Sequence, residues 1–155
     1  MSLEIVKEHL KMFNREKDII VLEQSTATVQ LAAEALGVKP ERIAKTLSFK
    51  SQEGAIVVVV AGDAKIDNKK FKTTFGIKAK MLSPDEVIEY TNHEIGGVCP
   101  FGIAREDVKI YLDDSLKRFE TVFPACGSGN SAIELTCQEL EELSVTKNWV
   151  DVCNY

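Results

Sequence analysis

The chain has little with which to build a metal centre or a disulfide framework. Its 155 residues include four cysteines, at 99, 126, 137 and 153, and two histidines, His9 and His93. No CxxC occurs, and neither histidine stands at a ligand-like spacing from a cysteine, which argues against a structural zinc site. An even cysteine count permits disulfides, but nothing else points to an oxidising compartment, so free thiols are expected. Long hydrophobic runs are missing too. The longest, AIVVVVAG at 55–62, falls far short of the ~20 residues that span a bilayer. The opening MSLEIVKEHLKMF carries charges throughout, unlike a signal peptide. These absences lead to the expectation of a soluble, cytoplasmic protein with no membrane partner. No repeat, low-complexity tract or linker interrupts the chain, so a single domain over 1–155 is expected.

Basic charge is also scarce overall. The net charge is −5, which argues against a generic nucleic-acid coat, and DNA is not an expected partner. The distribution is uneven. KIDNKKFKTTFGIKAK, at 65–80, holds six lysines against one aspartate, +5 locally, so the remaining residues carry −10. Such a run is either a solvated helix face or a local footprint for phosphates on an acidic body.

What is present is a mixture of helical and strand patterns. Leu3, Val6, Leu10 and Phe13 recur at helical spacing. DIIVLE at 18–23 reads as a short strand. Ser25 and Thr26 offer caps for a helix whose face is Val29, Ala32, Ala33 and Leu36, and Gly37 stops it. IAKTLSFK at 43–50 reads as a strand turning through 52–54 into AIVVVVA, which is apolar on both faces and therefore central in a sheet. Asp67 opens a helix that ends at Gly76. Ser83-Pro84-Asp85-Glu86 and Thr136-Cys137-Gln138-Glu139 are capping boxes. VKIYLD (108–113), TVFPAC (121–126) and SAIELT (131–136) read as strands. Strands and helices mix without strict alternation, predicting an α/β or α+β fold with a mixed sheet flanked by helices.

Three places could carry chemistry. Lys45 shares a strand face with Ile43, Leu47 and Phe49: it either snorkels to water at the strand's start or is held in a cleft to bind an anion. GGVCPFG at 96–102 combines glycines, whose amides can converge on a ligand oxygen, with Pro100 and Phe101, which fix the path; a structural turn is the competing reading. GSGN at 127–130 is a donor-rich loop that a plain hairpin also explains. Cys99 has only His93 nearby as a base and no third member, so a small apolar filler is the favoured reading over a nucleophile.

Taken together, TVQLAAEALGVKPERIAKTLSFK, VVVVAGDAKIDNKKF, GGVCPFG and ACGSGNSAIELTCQEL resemble the YbaK/ProX family of aminoacyl-tRNA deacylases, related to the editing domain inserted in bacterial prolyl-tRNA synthetases. The resemblance covers about 25–143. It implies a mixed, mostly antiparallel sheet flanked by helices, and trans-editing: hydrolysis of the ester of a mischarged tRNA, tRNA(Pro) carrying alanine, cysteine, serine or threonine, with no metal or cofactor. It places the strand lysine at Lys45, one pocket loop at Gly96, Gly97, Pro100, Phe101 and Gly102, and a second at Gly127, Ser128 and Asn130. The amides of Gly96 and Gly97, or of Gly127 and Ser128, would serve catalysis with Lys45, and Thr26, Thr46 and Val98 are further candidate substrate contacts. The expected partner is the acceptor end of an aminoacyl-tRNA, with an aminoacyl-tRNA synthetase as a further candidate. No side chain of the protein is an obvious general base, and the resemblance implies that the substrate's own ribose 2′-hydroxyl, or the side chain of its amino acid, would fill that role. The alternative is a binding module with the same pocket and no turnover.

Overall fold

Helix boundaries in the computed structural model, which describes residues 2–155, fall where side chains satisfy the first free amides. Helix α1 (Ser2–Lys11) buries Val6 and Leu10. Helix α2 (Val29–Leu36) opens on Thr28, whose hydroxyl accepts from the Leu31 N–H at 3.2 Å, and closes on left-handed Gly37. The expected caps, Ser25 and Thr26, do not serve. The Ala27 N–H donates to Ser25 Oγ and the Thr26 N–H to Gly129 O, tying these residues into a turn ahead of the helix. Helix α3 (Asn68–Phe75) starts at Asp67 and ends at Gly76. Helices α4 (Pro84–Thr91) and α5 (Cys137–Ser144) both open with complete capping boxes, as the sequence predicts.

The strands are β1 (Ile20–Val21), β2 (Ile43–Lys50), β3 (Ala55–Ala61), β4 (Lys65–Ile66), β5 (Val108–Asp113), β6 (Phe123–Pro124), β7 (Ser131–Ala132), β8 (Trp149–Val150) and β9 (Cys153–Asn154). Five of them form a sheet in the order β6-β2-β3-β5-β8. β2 and β3 are antiparallel, with Lys45 opposite Val60. The other three pairings in that sheet are parallel. β1–β7 and β4–β9 are separate antiparallel pairs. All seven residues of β3 are buried, as its two-faced apolar pattern requires. Each of its valines contributes roughly 1.5–3 kcal/mol relative to exposure, an upper value. The result is the expected α+β fold with a mixed sheet flanked by helices, but the main sheet is not mostly antiparallel as the resemblance implied. Only the β2–β3 hairpin is antiparallel, because β5, β6 and β8 enter after longer connections that let them run parallel to their neighbours.

The expected strands at 18–23, 121–126 and 131–136 are shorter than their patterns. Val122 bridges Leu135 and Ala125 bridges Ala132, while β6 turns outward to pair with β2 and β7 with β1. One hairpin thereby joins the main sheet to the segment that precedes α2. The main core runs from Val6 and Leu10 through β3 to Phe49, Phe71, Phe101 and Leu140. Phe49, Phe71, Phe75 and Tyr111 follow one another with ring centroids 4.7–4.9 Å apart, within the favourable range for aromatic pairs. Among the described residues, no helix is long and apolar enough to cross a membrane.

Candidate active site

Strand β2 borders a cavity: Ile43, Ala44, Lys45, Thr46 and Ser48 line a space of about 250 Å³, whereas Phe49 goes to the main core. That is below the ~300–1,000 Å³ typical of sites enclosing drug-sized ligands, so it suits a small group. Ile43, Val87, Val98 and Phe123 give it apolar walls, and Thr26, Thr28, Lys45, Thr46, Ser48 and Ser131 are its polar members. Thr26 Oγ1 and Thr46 Oγ1 are buried with no hydrogen-bond partner among the described residues. A buried hydroxyl left unpaired costs about 1–3 kcal/mol, so each of these calls for a hydrogen-bond partner in the cavity. No carboxylate or imidazole lines the cavity.

Lys45 belongs to the cavity wall, and its ammonium donates to Gly62 O, just past the end of β3, at 3.3 Å. Burial lowers its pKa from the ordinary lysine value, opposed by the Asp63 carboxylate. It is half-buried at the end of the sheet, between snorkelling and full enclosure.

The two glycine-bearing bends meet at this cavity. Gly96, with φ +91°, is the third residue of the turn 94–97 that the Gly97 N–H closes onto Glu94 O at 3.0 Å; a positive φ there is glycine's domain. Gly97 is glycine for another reason. A Cβ on it would lie 2.4 Å from Gly127 C and from Ser128 N, so the second bend occupies the space a side chain would need. The Gly127 N–H donates to Gly97 O at 2.9 Å, locking bend to bend. Asn130 ties the second bend to the segment before α2: its Nδ2 donates to Leu22 O at 2.9 Å. Ser128 Oγ donates to Asn130 Oδ1 at 2.9 Å and lies 2.5 Å from Ser131 Oγ.

Several sequence expectations change here. Gly97 and Gly127 cannot offer their amides to a substrate, because both are bonded internally. Of the glycines assigned as amide donors, only Gly96 lines the cavity, and its N–H has no acceptor among the described residues. Thr26, Thr46 and Val98 are brought to the cavity as expected. Pro100, Phe101 and Gly102 are not. Phe101 is fully buried in the main core, Pro100 is buried without lining the cavity, and Gly102 faces α1, where a Cβ would sit 2.9 Å from Ile5. Ser128 and Asn130 brace the second bend from outside the lining. Sequence reasoning missed the role of α1. Ser2 Oγ donates to Gly127 O, and the Glu94 N–H donates to Ser2 Oγ at 3.3 Å, so one helix start holds both bends. The helical spacing of Leu3, Val6 and Leu10 marks a buried face but not what lies against it.

Cys99 is not a nucleophile. It is fully buried, does not line the cavity, and burial pushes its thiol up to about 12. His93 lies 3.6 Å away, but its Nε2 is 2.7 Å from Phe101 O and so carries the proton, leaving no base for the thiol. All four cysteines are free, and no group of three or more His, Cys, Asp or Glu among the described residues could hold a metal ion. Burial lowers the His93 pKa, with the Phe101 carbonyl opposing and His9 adding a smaller downward push. The folded protein then binds fewer protons than the unfolded chain below pH ~6.5. Stability is therefore intact above that pH and falls on acidification towards the folded-state pKa. Denaturant titrations at about pH 7 and about pH 5.5 should show a steeper loss than in His93→Gln, by up to about 1.4 kcal/mol per pH unit; equal slopes would contradict the assignment.

The cavity is small and mostly apolar, with a lysine in its wall and two interlocked glycine bends beside it, and has room for a small acyl-sized group. Comparison with known proteins makes the class specific. The chain belongs to the aminoacyl-tRNA editing domain family, whose pattern matches residues 23–143. It is 62% identical over 154 residues, 99% of this chain and 98% of the other, to YwhH of Bacillus subtilis (strain 168), an uncharacterized protein. It is 31% identical over 91 residues to the proline–tRNA ligase of Thermotoga sp. (strain RQ2); the match spans 58% of this chain and 15% of the ligase. Among solved structures it resembles a candidate trans-editing enzyme for prolyl-tRNA synthetase. That likeness has a TM-score of 0.87 and 29% identity, over 99% of this chain and 98% of the other.

Proposed function

We propose that this protein is a cytoplasmic trans-editing deacylase that hydrolyses the ester of a mischarged tRNA, tRNA(Pro) carrying a small amino acid. The observation that carries the reading is the cavity: it is small, and two buried unpartnered hydroxyls and an unbonded amide, at Thr26, Thr46 and Gly96, line its wall. Water adds to the ester carbonyl, the bond from that carbon to the ribose oxygen breaks, and the amino acid leaves with the tRNA's hydroxyl restored. The developing oxyanion would be met by the Gly96 N–H, a donor of the kind worth roughly 3 kcal/mol. Lys45 would hold the terminal phosphate–ribose region and add positive potential. With no carboxylate or imidazole in the lining, the proton acceptor would be the substrate's own 2′-hydroxyl. Apolar walls separate alanine from serine or cysteine poorly, since one small group is worth ~1–3 kcal/mol.

A deacylation panel tests this. Purified protein should release amino acid from tRNA(Pro) charged with at least one of alanine, cysteine, serine or threonine. The same missing base favours a second reading, a module that binds the acceptor end without turnover. Binding across the panel with no hydrolysis would select that reading and reject the enzyme.

A further inference from the structure

The positive run at 65–80 folds into a defined surface that the cavity does not use. Phe71 is fully buried and Phe75 packs on the core, so α3 is fixed by its apolar side and presents lysines outward. Of the six lysines, only Lys70 has an ion-pair partner, Asp151 at 3.1 Å. Lys65, Lys69, Lys72, Lys78 and Lys80 are exposed, with no carboxylate within 4.0 Å among the described residues. No acidic residue occurs from 68 to 84. An ordinary solvated face intersperses both signs; this one does not, on a chain of net charge −5.

Asn68, Lys69, Lys72, Lys78 and Ala79 line a groove of about 400 Å³. The chain leads from this groove to the candidate active site. Two residues beyond Ala79, Met81 lines the acyl cavity and bridges Phe49 of β2. At the other end of the run, Lys65 is close enough to Lys45 for its charge to act on it. A polyanion whose terminus enters the cavity would meet these lysines next.

We propose that Lys69, Lys72 and Lys78 form a phosphate-backbone docking surface for the RNA whose acylated end occupies the cavity. This rests on the deacylase reading and names the surface that holds the rest of its substrate. No large apolar side chain lines the groove, as a membrane-inserting surface would need, and the contacts are those of a sequence-independent phosphate track.

The probe is an uncharged RNA minihelix ending in single-stranded CCA, so that binding is measured without hydrolysis. Each phosphate contact contributes a slope of about 0.7 (single strand) to 0.9 (duplex) in log K against log salt. The triple variant Lys69→Gln/Lys72→Gln/Lys78→Gln should therefore lose about two units of slope and bind more weakly at low salt. A control with the same charge change, Lys7→Gln/Lys11→Gln/Lys117→Gln, should keep the parental slope. An unchanged slope in the groove variant, or an equal loss in the control, would overturn the proposal; the former outcome would assign the lysines to another anionic partner. Failure of hydrolysis in the deacylation panel with the slope difference intact would instead reject only the chemistry.

Discussion

Lys45→Ala should lower deacylation of the best mischarged tRNA about a hundredfold or more while the protein remains folded. The size follows from the proposed role: a fixed positive group at a site where charge would develop, whose deletion typically costs about 10²–10³ in rate. The fold should survive because Nζ makes a single 3.3 Å bond to Gly62 O and the residue is half-buried at the end of the sheet. One neutral-acceptor bond contributes about 1 kcal/mol, so the denaturation midpoint should move little. Lys45→Arg keeps the charge but replaces a point donor by a wider planar fork, and should restore binding of RNA better than it restores turnover. Parental rates in Lys45→Ala would remove this residue from the mechanism.

Gly97→Ala should be among the most damaging single substitutions in the chain. The added carbon would lie 2.4 Å from two backbone atoms of the second bend, and backbone cannot rotate aside as a flexible side chain can. Overpacking typically costs about 1–3 kcal/mol, and a clash with backbone belongs at the upper end. Separating the bends would also break the Gly127 N–H to Gly97 O bond and displace Gly96 from the cavity wall, so activity should fall with stability. Gly129→Ala is the matched control. There the nearest atom to an added Cβ is Ala27 Cβ at 3.7 Å, an ordinary separation, and the change should stay within about 0.5 kcal/mol. Urea denaturation of the two variants checks the contrast; equal effects would mean that the two bends do not touch.

Local chemistry makes some of this legible in advance. Ser83 with Glu86, and Thr136 with Glu139, mark helix starts because the bonds that make a capping box are short-range. AIVVVVA marks the central strand because only a strand covered on both faces tolerates that run. The strand carrying Lys45 and Thr46 is readable from its alternation of apolar and polar residues. Packing between distant segments is not. Nothing in GGVCPFG separates the glycine that lines the cavity, Gly96, from the one that only permits close approach, Gly97. Phe101 reads as a wall residue because an aromatic in a glycine-rich loop suits a wall or a core equally, and tertiary packing decides for the core. Ser2 as a brace for both bends has no signal at all, since its partners lie 92 and 125 positions away.

The central claim is that Thr26, Thr46 and Gly96 line one acyl-binding cavity beside Lys45. A backbone amide NMR titration with an aminoacyl-adenosine analogue, its ester replaced by an unreactive amide, tests it most directly. Shifts should concentrate at Thr26, Ala27, Thr46, Gly96 and Ser131, all of which line the 250 Å³ cavity. Shifts clustered instead at Gln52, Glu106 and Tyr111, around the separate cavity of about 500 Å³, would contradict the account.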